Sequence, residues 1–192
     1  PSYRSTFANL LGLRYIALPV PIEKVDKTLE PGSFPLIART KDAYVYENPG
    51  ALPRVMFVTG WRTVDFETVL DEGFPPAFDP TRTVLIENKI EEGEGPSTDA
   101  EANTSKVGMS SYTNTEISIE VNAERAGFVV LNDVWHPWWS VTVNGQEADI
   151  LKANVVFRAV QVPAGKHVIR FSFKPLDGAF AELMAKIAPE TE

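Results

Sequence analysis

The chain has 192 residues, 44% of them hydrophobic and 23% charged, which is enough to bury a sizeable core and typical of a globular rather than a disordered protein. Eighteen basic against 26 acidic residues leave a net charge of −8, so the chain lacks the electrostatic footprint of a nucleic-acid or anionic-lipid binder. Cysteine is absent, which excludes disulfides, thiolate metal sites and a cysteine nucleophile.

In chain order, Asn9–Pro19 starts apolar and ends as an extended segment in which Leu13, Tyr15 and Ala17 share a face. Phe34–Arg39 and Ala43–Glu47 read as a hairpin around Lys41-Asp42, and Arg54–Thr59 as another strand. A helix is predicted over Val64–Glu72, capped by Thr63, with Phe66, Val69 and Leu70 on one stripe and Gly73 just past its end. The prolines at 75, 76 and 80 force a loop before the strand Thr83–Glu87. Residues 91–105 are acidic and poor in large apolar side chains, the composition of a solvated linker, and the sequon at Asn103 reads as accidental.

Beyond that linker the pattern becomes regular. Lys106–Tyr112, Glu116–Val121, Gly127–Leu131, Trp139–Val143, Gln146–Leu151, Val155–Val162 and His167–Phe173 read as strands, with turns every 8 to 12 residues as in a β-sandwich. Asn144-Gly145 is a strong hairpin signal. The expected sandwich core comprises Phe128, Val130, Trp139, Val141, Phe157, Val160, Phe171 and Phe173. A short helix, Ala179–Ile187, follows; it is too brief to span a bilayer and carries Glu182 and Lys186. No other run reaches spanning length and no signal peptide is visible, while the start at Pro1 without an initiator Met points to missing flanking segments.

Residues that carry chemistry are sparse. The two histidines, His136 and His167, have no companion at ligand spacing, so no metal and no cofactor is expected; His167 reads as a solvated or hydrogen-bonded residue after a turn. There is no nucleophile elbow and no phosphate-cradling glycine loop, and no catalytic residue is assigned. The segment Asp133-Val-Trp-His-Pro-Trp-Trp139 has two readings. Its indoles can stack on pyranose faces, or they can plug one end of a sandwich. The candidate saccharide-binding residues are Trp135, His136 and Trp138, with Asn154 and Arg158 from the strand expected beside them.

Val129–Gly145 resembles a segment of the YfhO family of bacterial polytopic membrane proteins, and the likeness continues through Ala153-Asn154, Phe157-Arg158, Val162–His167 and Phe171-x-Phe-x-Pro175. Upstream, Leu11–Tyr15, Val45–Pro49, Leu52–Arg54 and Phe78–Pro80 are also similar to that family. Trp138 stands where the family usually has glycine. The resemblance implies a membrane protein like the glycosyltransferases of the C superfamily, using lipid-linked sugar donors. Its catalytic acid would lie in a membrane part that this chain lacks.

The expected fold is mainly β: an antiparallel sandwich of jelly-roll or immunoglobulin-like type over 106–175, a strand-rich part with one helix over 1–90, the linker 91–105 and a helical tail over 176–192, together able to form one compact domain. The expected function is a non-catalytic accessory domain on the extracytoplasmic face, periplasmic or extracellular. Its partners would be the membrane part of its own polypeptide and a saccharide or lipid-linked sugar, with no nucleic acid. The alternative is a free-standing carbohydrate-binding module; a hydrolase reading has no recognisable constellation behind it.

Overall fold

A computed structural model describes residues 2–87 and 105–176. The linker over 91–104, with Asn103, and the helix expected at Ala179–Ile187 lie outside the described residues. The chain divides into two compact units, Pro1–Arg54 and Val55–Glu192. The strands of 55–86, grouped with the N-terminal part in the sequence reading, thus fall in the second unit.

In the first unit, helix α1 (Thr6–Leu10) is started by Ser5, whose Oγ accepts the Ala8 N–H at 3.1 Å. Strands β1 (Tyr15–Leu18), β2 (Leu36–Arg39) and β3 (Tyr44–Glu47) form an antiparallel sheet in the order β1-β3-β2. The predicted hairpin is therefore present, with a bulge between Leu36 and Ala38. A second short helix, α2 (Ile22–Val25), follows Pro21. Leu10, Ile22 and Tyr46 are buried, and the Tyr46 hydroxyl accepts the Ile22 N–H at 3.0 Å. Asp26 gathers Thr28 Oγ1 at 2.8 Å, Thr28 N at 3.0 Å, Tyr3 Oη at 3.0 Å and Arg4 Nε at 3.1 Å. The Thr28 hydroxyl bond is the largest cause holding its carboxyl below the ordinary value.

The second unit pairs two sheets. Strands β7 (Lys106–Tyr112), β8 (Glu116–Ala123), β10 (Trp139–Val143), β11 (Gln146–Ala148) and β14 (Gly165–Phe173) form a five-stranded antiparallel sheet in the order β11-β10-β14-β8-β7. The β10–β11 hairpin turns at Asn144 and Gly145, with φ of 53° and 83°, the left-handed pair that a two-residue turn requires. Strands β4 (Val55–Val58), β5 (Gly60–Thr63), β6 (Thr83–Ile86), β9 (Gly127–Leu131), β12 (Leu151–Ala153) and β13 (Phe157–Val162) form the other sheet in the order β4-β9-β13-β12-β6-β5. Its pairings are antiparallel except β5 with β6. Its two edge strands, β4 and β5, are separated in sequence only by Thr59, so the sheet must curl until its edges approach.

Curling gives the six-stranded sheet two apolar faces. Val129, Leu131, Val160 and Val162 meet Ile117, Ile119, Val141, Ile169 and Phe171 of the five-stranded sheet. Phe128, Val130, Val58, Val84, Ile86, Ala153 and Ala159 cluster on the opposite face. The sequence reading put Phe128 and Val130 in the inter-sheet core. Alternation along β9 places Val129 and Leu131 there instead, and every residue of this central strand is buried. The predicted strand Gln146–Leu151 is likewise divided: β11 ends in one sheet, and after Asp149-Ile150 the chain enters β12 in the other.

Helix α3 (Phe66–Glu72) begins two residues later than predicted, with Asp65 rather than Thr63 as its cap: Asp65 Oδ1 accepts the Glu67 N–H at 3.0 Å. The residues before it are taken by β5, parallel to β6. Phe66 and Val69 pack on Leu85, whereas Leu70 is 69% exposed.

Gly127 shows how closely β4 and β9 approach. A Cβ there would lie 2.6 Å from Phe57 Cζ and 2.6 Å from the Val58 carbonyl oxygen. Gly127→Ala is expected to cost about 1–3 kcal/mol in urea denaturation. An unchanged midpoint would mean that β4 yields freely at this point.

Candidate functional site

Residues 132–138 connect β9 to β10 across one end of the sandwich, and backbone bonds hold this loop in shape. The Trp135 N–H donates to the Val156 carbonyl at 2.7 Å, tying the loop to the β12–β13 turn. The Trp139 N–H donates to the His136 carbonyl at 3.2 Å, and the Lys174 N–H to the Trp138 carbonyl at 2.9 Å. His136 Nδ1 accepts the Trp138 N–H at 3.2 Å.

The aromatic rings form a continuous group. His136 lies edge-on to Trp138 at 4.8 Å and to Phe173 at 5.7 Å; Phe173 stands 6.1 Å from Trp138 and 5.2 Å from Trp139. Trp135, Trp138 and Trp139 are half-buried, and His136 is exposed. Trp139 shares its strand face with Val141, as alternation predicts, and closes the end of the inter-sheet core.

Against Trp139 sits Arg158, 1% exposed. Its guanidinium lies 4.0 Å above the Trp139 ring and 5.3 Å from that of Phe171. Arg158 Nη2 donates to Asp133 Oδ2 at 3.3 Å, and the same oxygen accepts the Tyr112 hydroxyl at 3.1 Å. Burial lowers the Arg158 pKa below its ordinary value, opposed by Asp133 and then Tyr112. Nε and Nη1 have no hydrogen-bond partner among the described residues. Asn154 is fully buried, with φ of 46°. Its Oδ1 accepts the Leu85 N–H at 2.9 Å and its N–H donates to the Leu85 carbonyl at 2.9 Å, which extends the joint between β12 and β6.

Of the five residues picked from sequence, His136 lies against Trp138 and shares a groove with Trp135, but Trp138 does not line that groove. Arg158 is buried against Trp139 and Phe171 rather than beside those three, and the Asn154 side chain is engaged with β6. An open groove of about 390 Å³ lies beside the loop, and its lining includes Trp135, His136, Trp139, Ser140, Glu147 and Asp149. Lys152 holds its ammonium 4.9 Å over the Trp135 ring and bridges to Glu87 at 3.0 Å. The sequence reading missed Asp133, Glu147, Asp149 and Lys152 as members of this region. Asp133 carried a signal, being the one acid inside the aromatic motif; the others depend on where the chain changes sheets.

The second histidine, His167, is satisfied locally. Asn144 Oδ1 accepts the Val168 N–H at 2.9 Å, which turns Asn144 Nδ2 toward His167 Nδ1 at 3.0 Å, while Nε2 meets the Pro163 carbonyl at 3.0 Å. An amide nitrogen can only donate and a carbonyl only accept, so Nδ1 is the acceptor of this ring and Nε2 its donor.

No helix among the described residues is long and apolar enough to cross a membrane. No curated protein and no solved structure matches the chain. The family model of the bacterial membrane protein YfhO matches residues 98–177, which take in all of β7 to β14. The upstream segments that also resembled the family lie outside that match. By this match the sandwich segment, residues 98–177, is similar to the YfhO family of bacterial membrane proteins.

Proposed function

We propose that this chain is a non-catalytic accessory domain on the extracytoplasmic face of a glycosyltransferase-like membrane protein, where it contacts a saccharide or the sugar of a lipid-linked donor. The observation that carries the saccharide part is the groove itself. It offers half-buried indole faces from Trp135 and Trp139 beside hydrogen-bonding groups of His136, Ser140, Glu147 and Asp149, the combination a pyranose requires. Trp138 and Phe173 back His136, and Arg158 backs Trp139, so the rings are held before any ligand arrives.

Titration with oligosaccharides, followed by indole fluorescence and by the side-chain N–H signals of the tryptophans in NMR, tests this reading. Saturable shifts at Trp135 and Trp139 are expected, abolished by Trp135→Ala. Tryptophan signals unmoved by every sugar at millimolar concentration would leave the loop as a plug of the sandwich end. Protease accessibility of a tag inserted at Asn144-Gly145, on intact cells making the full-length protein, tests the face of the membrane.

A further inference from the structure

Of the twelve large apolar side chains exposed among the described residues, seven belong to Pro1–Arg54, by far the smaller of the two units. Three of them are gathered in one place. Gly12, with φ of 69°, turns the chain out of α1 toward β1. Around that turn Leu11, Leu13 and Tyr15 line the same open groove as Phe7, about 610 Å³ in volume. Leu11 is 54% and Tyr15 53% exposed. Among the described residues no acid lines this groove, and its one charged lining residue is Arg14. The Arg14 guanidinium lies 5.6 Å over the Tyr15 ring and bridges to Glu47 at 3.3 Å. An apolar surface of this extent calls for a partner.

Charge selects which one. The chain is acidic as a whole, but unevenly so: residues 1–54 hold seven Lys and Arg against five Asp and Glu, and residues 55–192 hold 11 against 21. The first unit is thus net +2 and the second net −10. The total of −8 argues against lipid binding by the molecule at large, yet it leaves the first unit as the one part that an anionic surface attracts while the rest is repelled. The same total disfavours a second copy of the chain as the occupant, since each copy brings −8. Leucine and phenylalanine beside a tyrosine, with an arginine laid over its ring, is also the side-chain set that settles at headgroup level. We infer that the face of the first unit formed by Phe7, Leu11, Leu13 and Tyr15 seats on the surface of an anionic lipid bilayer. This contact lies outside the segment matched to the membrane-protein family and is independent of the saccharide reading.

Flotation of the whole chain with vesicles of phosphatidylcholine alone, and of phosphatidylcholine mixed with phosphatidylglycerol, tests it. Binding to the anionic vesicles is expected, fading as salt rises, and about tenfold weaker in Leu11→Ser with Leu13→Ser. Leu70→Ser, at the exposed leucine of the second unit, should leave binding unchanged. Because the chain has no cysteine, an environment-sensitive fluorophore on Leu11→Cys reports the contact without removing the other apolar residues. Its emission should shift to the blue with anionic vesicles, and that of the same fluorophore on Leu70→Cys should not. No binding to the anionic vesicles, equal binding to the neutral ones, equal losses for Leu70→Ser and the Leu11–Leu13 pair, or an unshifted fluorophore at position 11 would each overturn the inference. So would a dimer in sedimentation velocity that Leu11→Ser with Leu13→Ser dissolves, which would give the groove to a second copy.

Discussion

Asp133→Ala is expected to be the most damaging single polar substitution in the chain, at about 3–5 kcal/mol in equilibrium denaturation. Asp133 is the acid that compensates Arg158, a guanidinium 1% exposed whose Nε and Nη1 lack partners among the described residues. Removing the carboxylate leaves a buried charge stacked on the faces of Trp139 and Phe171 without its counter-charge. It also frees the Tyr112 hydroxyl from its acceptor. A cycle separates charge from packing: Arg158→Met on the Asp133→Ala background should recover most of the loss, because two apolar side chains can replace a buried ion pair at little cost. A loss below about 1 kcal/mol for Asp133→Ala would show that water reaches the guanidinium and that the pair contributes little.

Phe171→Ala should cost a similar amount, about 3–5 kcal/mol, for a different reason. Phe171 is fully buried between the two sheets, where β14 pairs it with Val141 on one side and Ile117 on the other. Truncation opens a cavity that fixed strands cannot close. The neighbouring Val168 supplies the control, since it lies on the outer face of β14 and is 41% exposed. Val168→Ala should stay within about 0.5 kcal/mol. Equal effects at the two positions, measured by thermal and urea unfolding, would mean that the face assignment of β14 is wrong.

Much of the sandwich could be read from local pattern. Period-two alternation in Glu116–Val121 and His167–Phe173 and the Asn144-Gly145 turn depend only on neighbouring residues, and β8, β14 and the hairpin stand where that pattern put them. What local pattern cannot carry is sheet membership. Phe128-Val-Val-Leu131 is apolar at every position, so its alternation does not reveal which face meets which layer; that depends on β4 pairing from more than 65 residues upstream. The same limit hid β5, a short stretch containing Gly60, whose strand character comes from its parallel partner β6. Helices α1 and α2 are five and four residues long, too short to show a period.

The aromatic loop divides along the same line. Trp135, His136 and Trp138 stand out in the sequence because three tryptophans fall within five residues, and the structure sets His136 against Trp138 and beside Trp135 in the groove. Glu147 and Asp149 face that loop only because the chain leaves β11 for β12 at Asp149-Ile150, and nothing in Gln146–Leu151 marks the change. Asn154 looked like a surface donor because asparagine commonly is one. Its left-handed backbone instead turns the amide onto Leu85.

The curl of the six-stranded sheet bears on how the protein is made. Strands β4 and β6 leave the ribosome early, but β4 gains its hydrogen-bonding partner only with β9, and β6 its antiparallel partner only with β12. Until then the apolar run Val55-Met-Phe-Val58 has an open edge and no core to enter. Such sequence-distant pairing makes for slow folding, because long loops must close before any contact rewards them. During synthesis the first half of this unit is therefore the stretch most in need of a chaperone, and it reaches its native layer only after residues 127–153 have been added.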